Sequence, residues 1–142
     1  MTDITIIGLD LNTSAVLQRA AQHIDEWGHI KGDFVNHEDG GYCAAGAIAN
    51  ASGIEADDWH EQNSAPCFEG EDLDEHARWL AGRAASLAAL RAFSAHLFPN
   101  SRPEDMTREA LIVKIGDWND ADDRTAEQVI EEMRAAAQEA TP

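Results

Sequence analysis

Cys43-Ala44-Ala45-Gly46-Ala47-Ile48-Ala49-Asn50-Ala51 carries no charge over nine residues, and the reading of this stretch decides the fold. Alanine is the strongest helix former. With Asp39-Gly40-Gly41 ahead of it and Gly53 behind it, the stretch predicts a short helix from about Cys43 to Ser52. A helix that is apolar on nearly every face belongs inside a protein, surrounded by others. Gly46 costs about 1 kcal/mol against alanine in a helix, so it is expected to mark the close approach of another backbone.

Working toward the N-terminus, Leu17, Ala20, Ala21, Ile24 and Trp27 recur at helical spacing behind Asn12-Thr13-Ser14, whose side chains suit an N-cap. Gly28 stands where that amphipathic helix should stop. Ile4, Ile6 and Ile7 form only a weak strand-like run in a short extended segment. Toward the C-terminus, residues 54–71 read as an acidic connection broken by Pro66. Asp72 and Glu75 then resemble a capping box opening the longest helix, which Pro99 stops after about Phe98. Two apolar rows, Leu80-Ala84-Leu87 and Leu90-Phe93-Leu97, predict a central helix with neighbours on more than one face. A further helix is expected from about Thr107 to Ile115, with Leu111, Ile115 and Trp118 in register. Thr125-Ala126-Glu127-Gln128 reads as a second capping box, followed by the stripe Val129, Ile130, Met133 and Ala137. The expectation is an all-α fold, a compact irregular bundle of about five helices forming one domain over residues 1–142.

The chain has 34 large apolar residues and 25 alanines in 142, enough for one modest core. Cys43 and Cys67 make no disulfide framework. The first residues lack the basic and apolar regions of a signal peptide, and no stretch nears the ~18 apolar residues of a membrane span. A cytoplasmic protein with reduced thiols is expected.

Charge is segregated. The formal net charge is −17, and between Lys31 and Arg78 twelve acids occur with no lysine or arginine. Such a surface repels phosphate backbones, which argues against direct nucleic-acid binding. It reads as a solubilising surface, as a docking face for a basic partner or a mimic of nucleic-acid charge, or as a divalent-cation surface.

Three arrangements of residues bear on chemistry. Cys43 opens a helix, where the dipole favours a thiolate. With His37, His60, His76 or His96 as base and Asn119 orienting it, the layout would be that of a thiol hydrolase, although a cysteine among small apolar residues is more commonly a buried hydrophobe. Cys43, His60, Cys67 and His76 are zinc-type ligands without the short paired spacings of a structural site. Asp117, Asn119, Ala121, Asp122 and Gln128 fail the calcium-loop pattern at three of five positions. Trp118 is instead expected in the core, with Asn119 and Asp120 bonding the turn between two helices. Phosphate-loop, dinucleotide and nucleophile-elbow motifs are absent from the sequence. No catalytic residue, cofactor or metal is assigned.

Three segments together carry a resemblance. They are Arg19-Ala20-Ala21-Gln22-His23-Ile24 through Lys31-Gly32, then Gly41-Tyr42-Cys43-Ala44-Ala45-Gly46-Ala47-Ile48, and then Trp118-Asn119-Asp120 through Arg124-Thr125 to Glu127-Gln128-Val129-Ile130. In this order they resemble a domain of unknown function found in high-GC bacteria and their phages, over roughly residues 15–140. At His29-Ile30 the chain departs from the aromatic residue or tryptophan-cysteine pair of that family. The resemblance implies a phage or prophage context and marks Cys43, Gly46, Trp118, Asn119 and Asp120 as motif positions, with no activity attached.

The function expected from these features is that of a non-enzymatic interaction protein. Its acidic face between Gly32 and Ala77, with Asp57, Asp58, Asp72 and Asp74, would engage a basic host-protein surface. Alternatives are a Cys43-dependent hydrolase or transferase and a helical subunit completed by self-association.

Overall fold

Five helices form where capping side chains and apolar spacing put them, and a computed structural model of the chain describes residues 5–6, 9–32, 40–54 and 73–140, with side chains at 10–32, 40–54 and 77–140. Asp57, Asp58 and Asp72, the side chain of Asp74, His37, His60, Cys67, the side chain of His76, Pro66 and the Asp72-Glu75 capping box all lie outside the described residues. Two short strands, β1 (Thr5–Ile6) and β2 (Leu9–Asp10), pair antiparallel ahead of the first helix.

Helix α1 spans Thr13–Trp27 and buries Val16, Leu17, Ala20, Ala21 and Ile24. Asn12 holds the N-cap position without a side-chain cap bond. Trp27, expected at the end of the buried stripe, is 57% exposed. Helix α2, Ala44–Ala51, is capped by Cys43 and Ser52 and is buried at every residue except Asn50. It lies inside the bundle as its composition requires.

Helix α3 runs from Leu73 to Leu97 and touches all four other helices, the central position expected of it. Its buried face is not the leading row predicted. Leu80 is 48% exposed and Ala84 is also exposed, while Gly82, Ala85, Ser86, Ala89, Leu90, Phe93 and Ser94 face inward. A close backbone approach of the kind expected at Gly46 occurs at Gly82. A Cβ built there would lie 2.6 Å from the Ser52 carbonyl oxygen and 2.8 Å from Ile54 Cγ2, so α3 crosses the end of α2 at a distance only glycine allows.

A 3-10 turn at Pro103–Asp105 leads to α4, Arg108–Asn119, whose N-cap Thr107 accepts from the Ala110 N–H. Helix α4 continues a full turn beyond the expected end at Ile115, which places Trp118 and Asn119 on the helix and not in a connecting turn. Helix α5, Ala126–Glu139, begins with the predicted capping box, Thr125 and Gln128 each bonding the other's backbone N–H, and buries Val129, Met133, Ala136 and Ala137. Buried residues of all five helices merge into one core, much of it alanine. Small side chains bring the α1 backbone close to those of α2 and α5, and interiors of this kind are close-packed. Among the described residues no helix is long and apolar enough to cross a membrane.

Candidate functional site

The motif residues converge on the N-terminus of α2. The local chain prepares the place first. Gly28 ends α1 with φ 104° and ψ 160°, a positive-φ extended conformation that releases His29 and Ile30 from the helix. These residues pair in parallel with Tyr42: the Tyr42 N–H donates to the Gly28 carbonyl at 2.9 Å, and the Ile30 N–H donates to the Tyr42 carbonyl at 3.1 Å. Gly41 sits in the narrowest part, where a Cβ would meet Ile30 Cγ2 at 2.8 Å. The short pairing delivers Cys43 as the N-cap of α2, with extended backbone and its sulfur accepting the Gly46 N–H at 3.3 Å.

Asn119, fully buried at the end of α4, closes the arrangement. Its Oδ1 accepts from the Ala44 N–H, the first residue of α2, at 3.0 Å and lies 2.8 Å from His29 Nε2. Its Nδ2 donates to the Ile30 carbonyl at 3.0 Å and to Asp120 Oδ1 at 2.9 Å. A backbone N–H only donates and a carbonyl only accepts, so these neighbours fix the amide's orientation, and His29 must carry its proton on Nε2 and donate. Two acceptor positions and two donors are all used. The oxygen also sits at the positive end of the α2 dipole.

Around this centre the remaining motif residues pin the same loop. Asp120 Oδ1 accepts the Gly32 N–H at 2.9 Å, and Lys31 Nζ donates to the carbonyls of Ala121 at 2.6 Å and Asp122 at 3.3 Å. Trp118 is half-buried, with its ring edge-on to Phe93 at 5.6 Å and the Arg124 guanidinium 4.1 Å above its centroid. Arg124 Nε donates to the Trp118 carbonyl at 2.9 Å. At the opposite end of α2, Arg19 Nε donates to the Ala51 carbonyl at 3.0 Å, and Arg19 Nη2 reaches the Asp10 carbonyl at 2.8 Å. Burial holds the Arg19 guanidinium below its ordinary proton affinity, against an opposing pull from Asp10.

Of the residues singled out in sequence, Cys43, Gly46, Trp118, Asn119 and Asp120 therefore gather at one place, and Asn119 bonds across the fold instead of within the turn assigned to it. Cys43 is only 6% exposed. Of the four histidines considered as its base, His96 is on another face, its imidazole between Glu132 (2.9 Å) and Glu139 of α5. The histidine that reaches Asn119 is His29, a loop residue that is not one of those four. Its signal was faint: an extended dipeptide, His29-Ile30, between Gly28 and Gly32. Chemically the arrangement is a hydrogen-bond clamp, saturated at the Asn119 amide, that joins the α1–α2 loop, the start of α2 and the end of α4.

No curated protein and no solved structure matches the chain. A family model does, over residues 9–139, and the chain belongs to that family, DUF6197, a family of unknown function.

Proposed function

We propose that the protein is a non-enzymatic interaction protein, phage-encoded and cytoplasmic, whose acidic face between Gly32 and Ala77 binds a basic surface on a host protein. The observation behind this reading is the saturation of Asn119. The motif whose residue types suit chemistry has all four hydrogen-bonding positions of the Asn119 amide engaged inside the fold, with Cys43 covered beside it. The other distinctive feature is one of sequence: twelve acids between Lys31 and Arg78 without one lysine or arginine. Complementary charge of this kind steers encounter and weakens with salt. The test is affinity capture from host lysate at low and moderate salt, using the full chain and a variant with Asp57, Asp58, Asp72 and Asp74 changed to lysine. Partners held at low salt and lost on charge reversal are expected. Capture of nothing, or of the same proteins by the reversed chain, overturns the reading.

One observation favours a second reading, thiol chemistry at Cys43. His29 Nε2 contacts the Asn119 oxygen that also holds Ala44, the residue after Cys43, and an asparagine fixing an imidazole beside a helix-opening cysteine is a nucleophile's setting. Alkylation rate against pH in a Cys67→Ser background separates the two. A midpoint well below the ordinary ~8.5, lost in His29→Gln, establishes the second reading; a thiol inert in the folded state removes it.

A further inference from the structure

Between α1 and α5 lies an open cleft of about 580 Å³, lined by Ala15, Gln18, Arg19 and Gln22 of α1 and by Arg134 and Gln138 of α5. The α1 residues recur at i, i+3, i+4 and i+7 and the α5 residues at i and i+4, so each helix lends the cleft one stripe. The chain holds 27 acids against ten lysines and arginines, yet among the described residues no acid lines the cleft and its two charged residues are arginines. Arg19 is half-buried, with Nε and Nη2 spent on the carbonyls of Ala51 and Asp10. Its Nη1 has no hydrogen-bond partner and the side chain no ion pair among the described residues. Arg134 is exposed and stands 3.8 Å from Asp25, beyond hydrogen-bond length. Gln18 Nε2 donates to Ser14 Oγ at 3.5 Å and Gln22 Nε2 to Glu26 at 2.7 Å, which leaves both amide oxygens as acceptors. Gln138 has no hydrogen bond to another described side chain.

A cavity of this size falls within the ~300–1,000 Å³ of small-molecule sites. A cationic ligand would meet two guanidinium groups and no carboxylate. An apolar one would cover polar groups that need hydrogen bonds. A carboxylate suits the arginines, through the planar fork of Arg134 and the single nitrogen Nη1 of Arg19. A carboxylate only accepts, so the Gln18 and Gln22 oxygens beside it call for donors elsewhere on the same molecule, and hydroxyl groups supply them. We infer that the α1–α5 cleft is a binding site for a small polyhydroxylated carboxylate of the sugar-acid class, its carboxylate held by Arg134 and Arg19 and its hydroxyls by Gln18, Gln22 and Gln138. The net charge of −17 opposes any anion at long range, but charges more than about 8 Å away are largely screened at physiological salt. The site is apart from the Asn119 centre, since Arg19 holds the opposite end of α2, and it does not depend on what the acidic segment binds.

The test is calorimetric titration of the full chain with gluconate at about 0.15 M salt. Sorbitol, which keeps the hydroxyls and lacks the carboxylate, and hexanoate, which keeps the carboxylate and lacks the hydroxyls, are titrated in parallel. Saturable gluconate binding is expected, with sorbitol and hexanoate weaker by about tenfold or more. Melting temperature should rise by about 3–5 °C at tenfold excess of gluconate over its dissociation constant. Arg134→Gln should weaken gluconate binding by about tenfold and leave the fold intact, because Arg134 is exposed and its pairing with Asp25 is loose. Arg102→Gln, the same charge change at an exposed residue outside the cleft, should leave binding as it is. Arg19→Gln also releases the Ala51 carbonyl, so Arg134→Gln is the deciding variant. No saturable response to gluconate, sorbitol or hexanoate bound as tightly as gluconate, or undiminished binding in Arg134→Gln overturns the inference.

Discussion

Two sets of buried polar groups lie in this small bundle, and they are built on opposite terms. At the start of α2, Asn119 is uncharged and every donor and acceptor of its amide is used. On α3 and at the start of α4, Arg91 and Arg108 each keep a buried Nε–H without a partner among the described residues. A saturated network specifies one arrangement and resists change. An unsaturated donor leaves free energy available to whatever completes it. The conspicuous sequence motif thus marks the rigid cluster, and the donors with unfilled capacity carry no motif at all.

The sharpest way to break this contrast is Asn119→Ala. It leaves the Ala44 N–H and the Ile30 carbonyl without their partner, and at about 1–3 kcal/mol for each buried orphan the loss should reach about 3–4 kcal/mol in chemical denaturation. A loss below about 1 kcal/mol would mean that water replaces the amide and that the clamp is not rigid. Next comes Trp118→Ala. A fully buried tryptophan costs about 3–5 kcal/mol to truncate; because Trp118 is half-buried under Arg124, about 2–3 kcal/mol is expected, again by denaturation. Arg91→Met tests the other set. An unpaired buried charge replaced by an apolar side chain of similar length is neutral or stabilising, so in chloride buffer the change should stay within about 0.5 kcal/mol of zero or raise stability. A marked loss would show the arginine already paired. The smallest effect concerns His23, whose ring lies 5.8 Å from Tyr42 at the edge of the clamp. Burial first, then Arg19, lower its proton affinity from 6.5, against Glu26. The unfolded chain therefore binds the proton more readily. This contribution to stability is present above pH 6.5 and is lost as pH falls below it toward the folded-state value. His23→Gln should flatten that part of the stability profile.

Much of the fold was legible because its signals are local. The α5 capping box at Thr125 and Gln128 and the charge-free run of α2 each need only a few neighbouring residues to be read. Helix α3 was legible as a helix but not in its orientation. Its inward face is largely Gly82, Ala85, Ser86 and Ala89, residues that carry little hydrophobic contrast, so the eye follows Leu80 to the solvent side. Trp27 misleads for a related reason: it continues the apolar spacing of α1 but lies at the helix end, where its ring covers Gly40 rather than the core. At the site, the positions Cys43, Trp118, Asn119 and Asp120 were readable, yet their relation was not. A polar residue after a tryptophan near a helix end looks like turn chemistry, and only the folded chain reveals that Asn119 bonds Ala44 and His29 far away in sequence.

The way α2 is held has a consequence for the order in which the protein assembles. An eight-residue helix is too short to persist alone in water. Its first N–H is anchored 75 residues downstream by Asn119, and its last carbonyl 32 residues upstream by Arg19. During synthesis the interior helix therefore emerges early and waits, unformed, until α4 has left the ribosome. The apolar stretch at the heart of the molecule is thus exposed until α4 has been made, which makes it a segment that chaperones should meet.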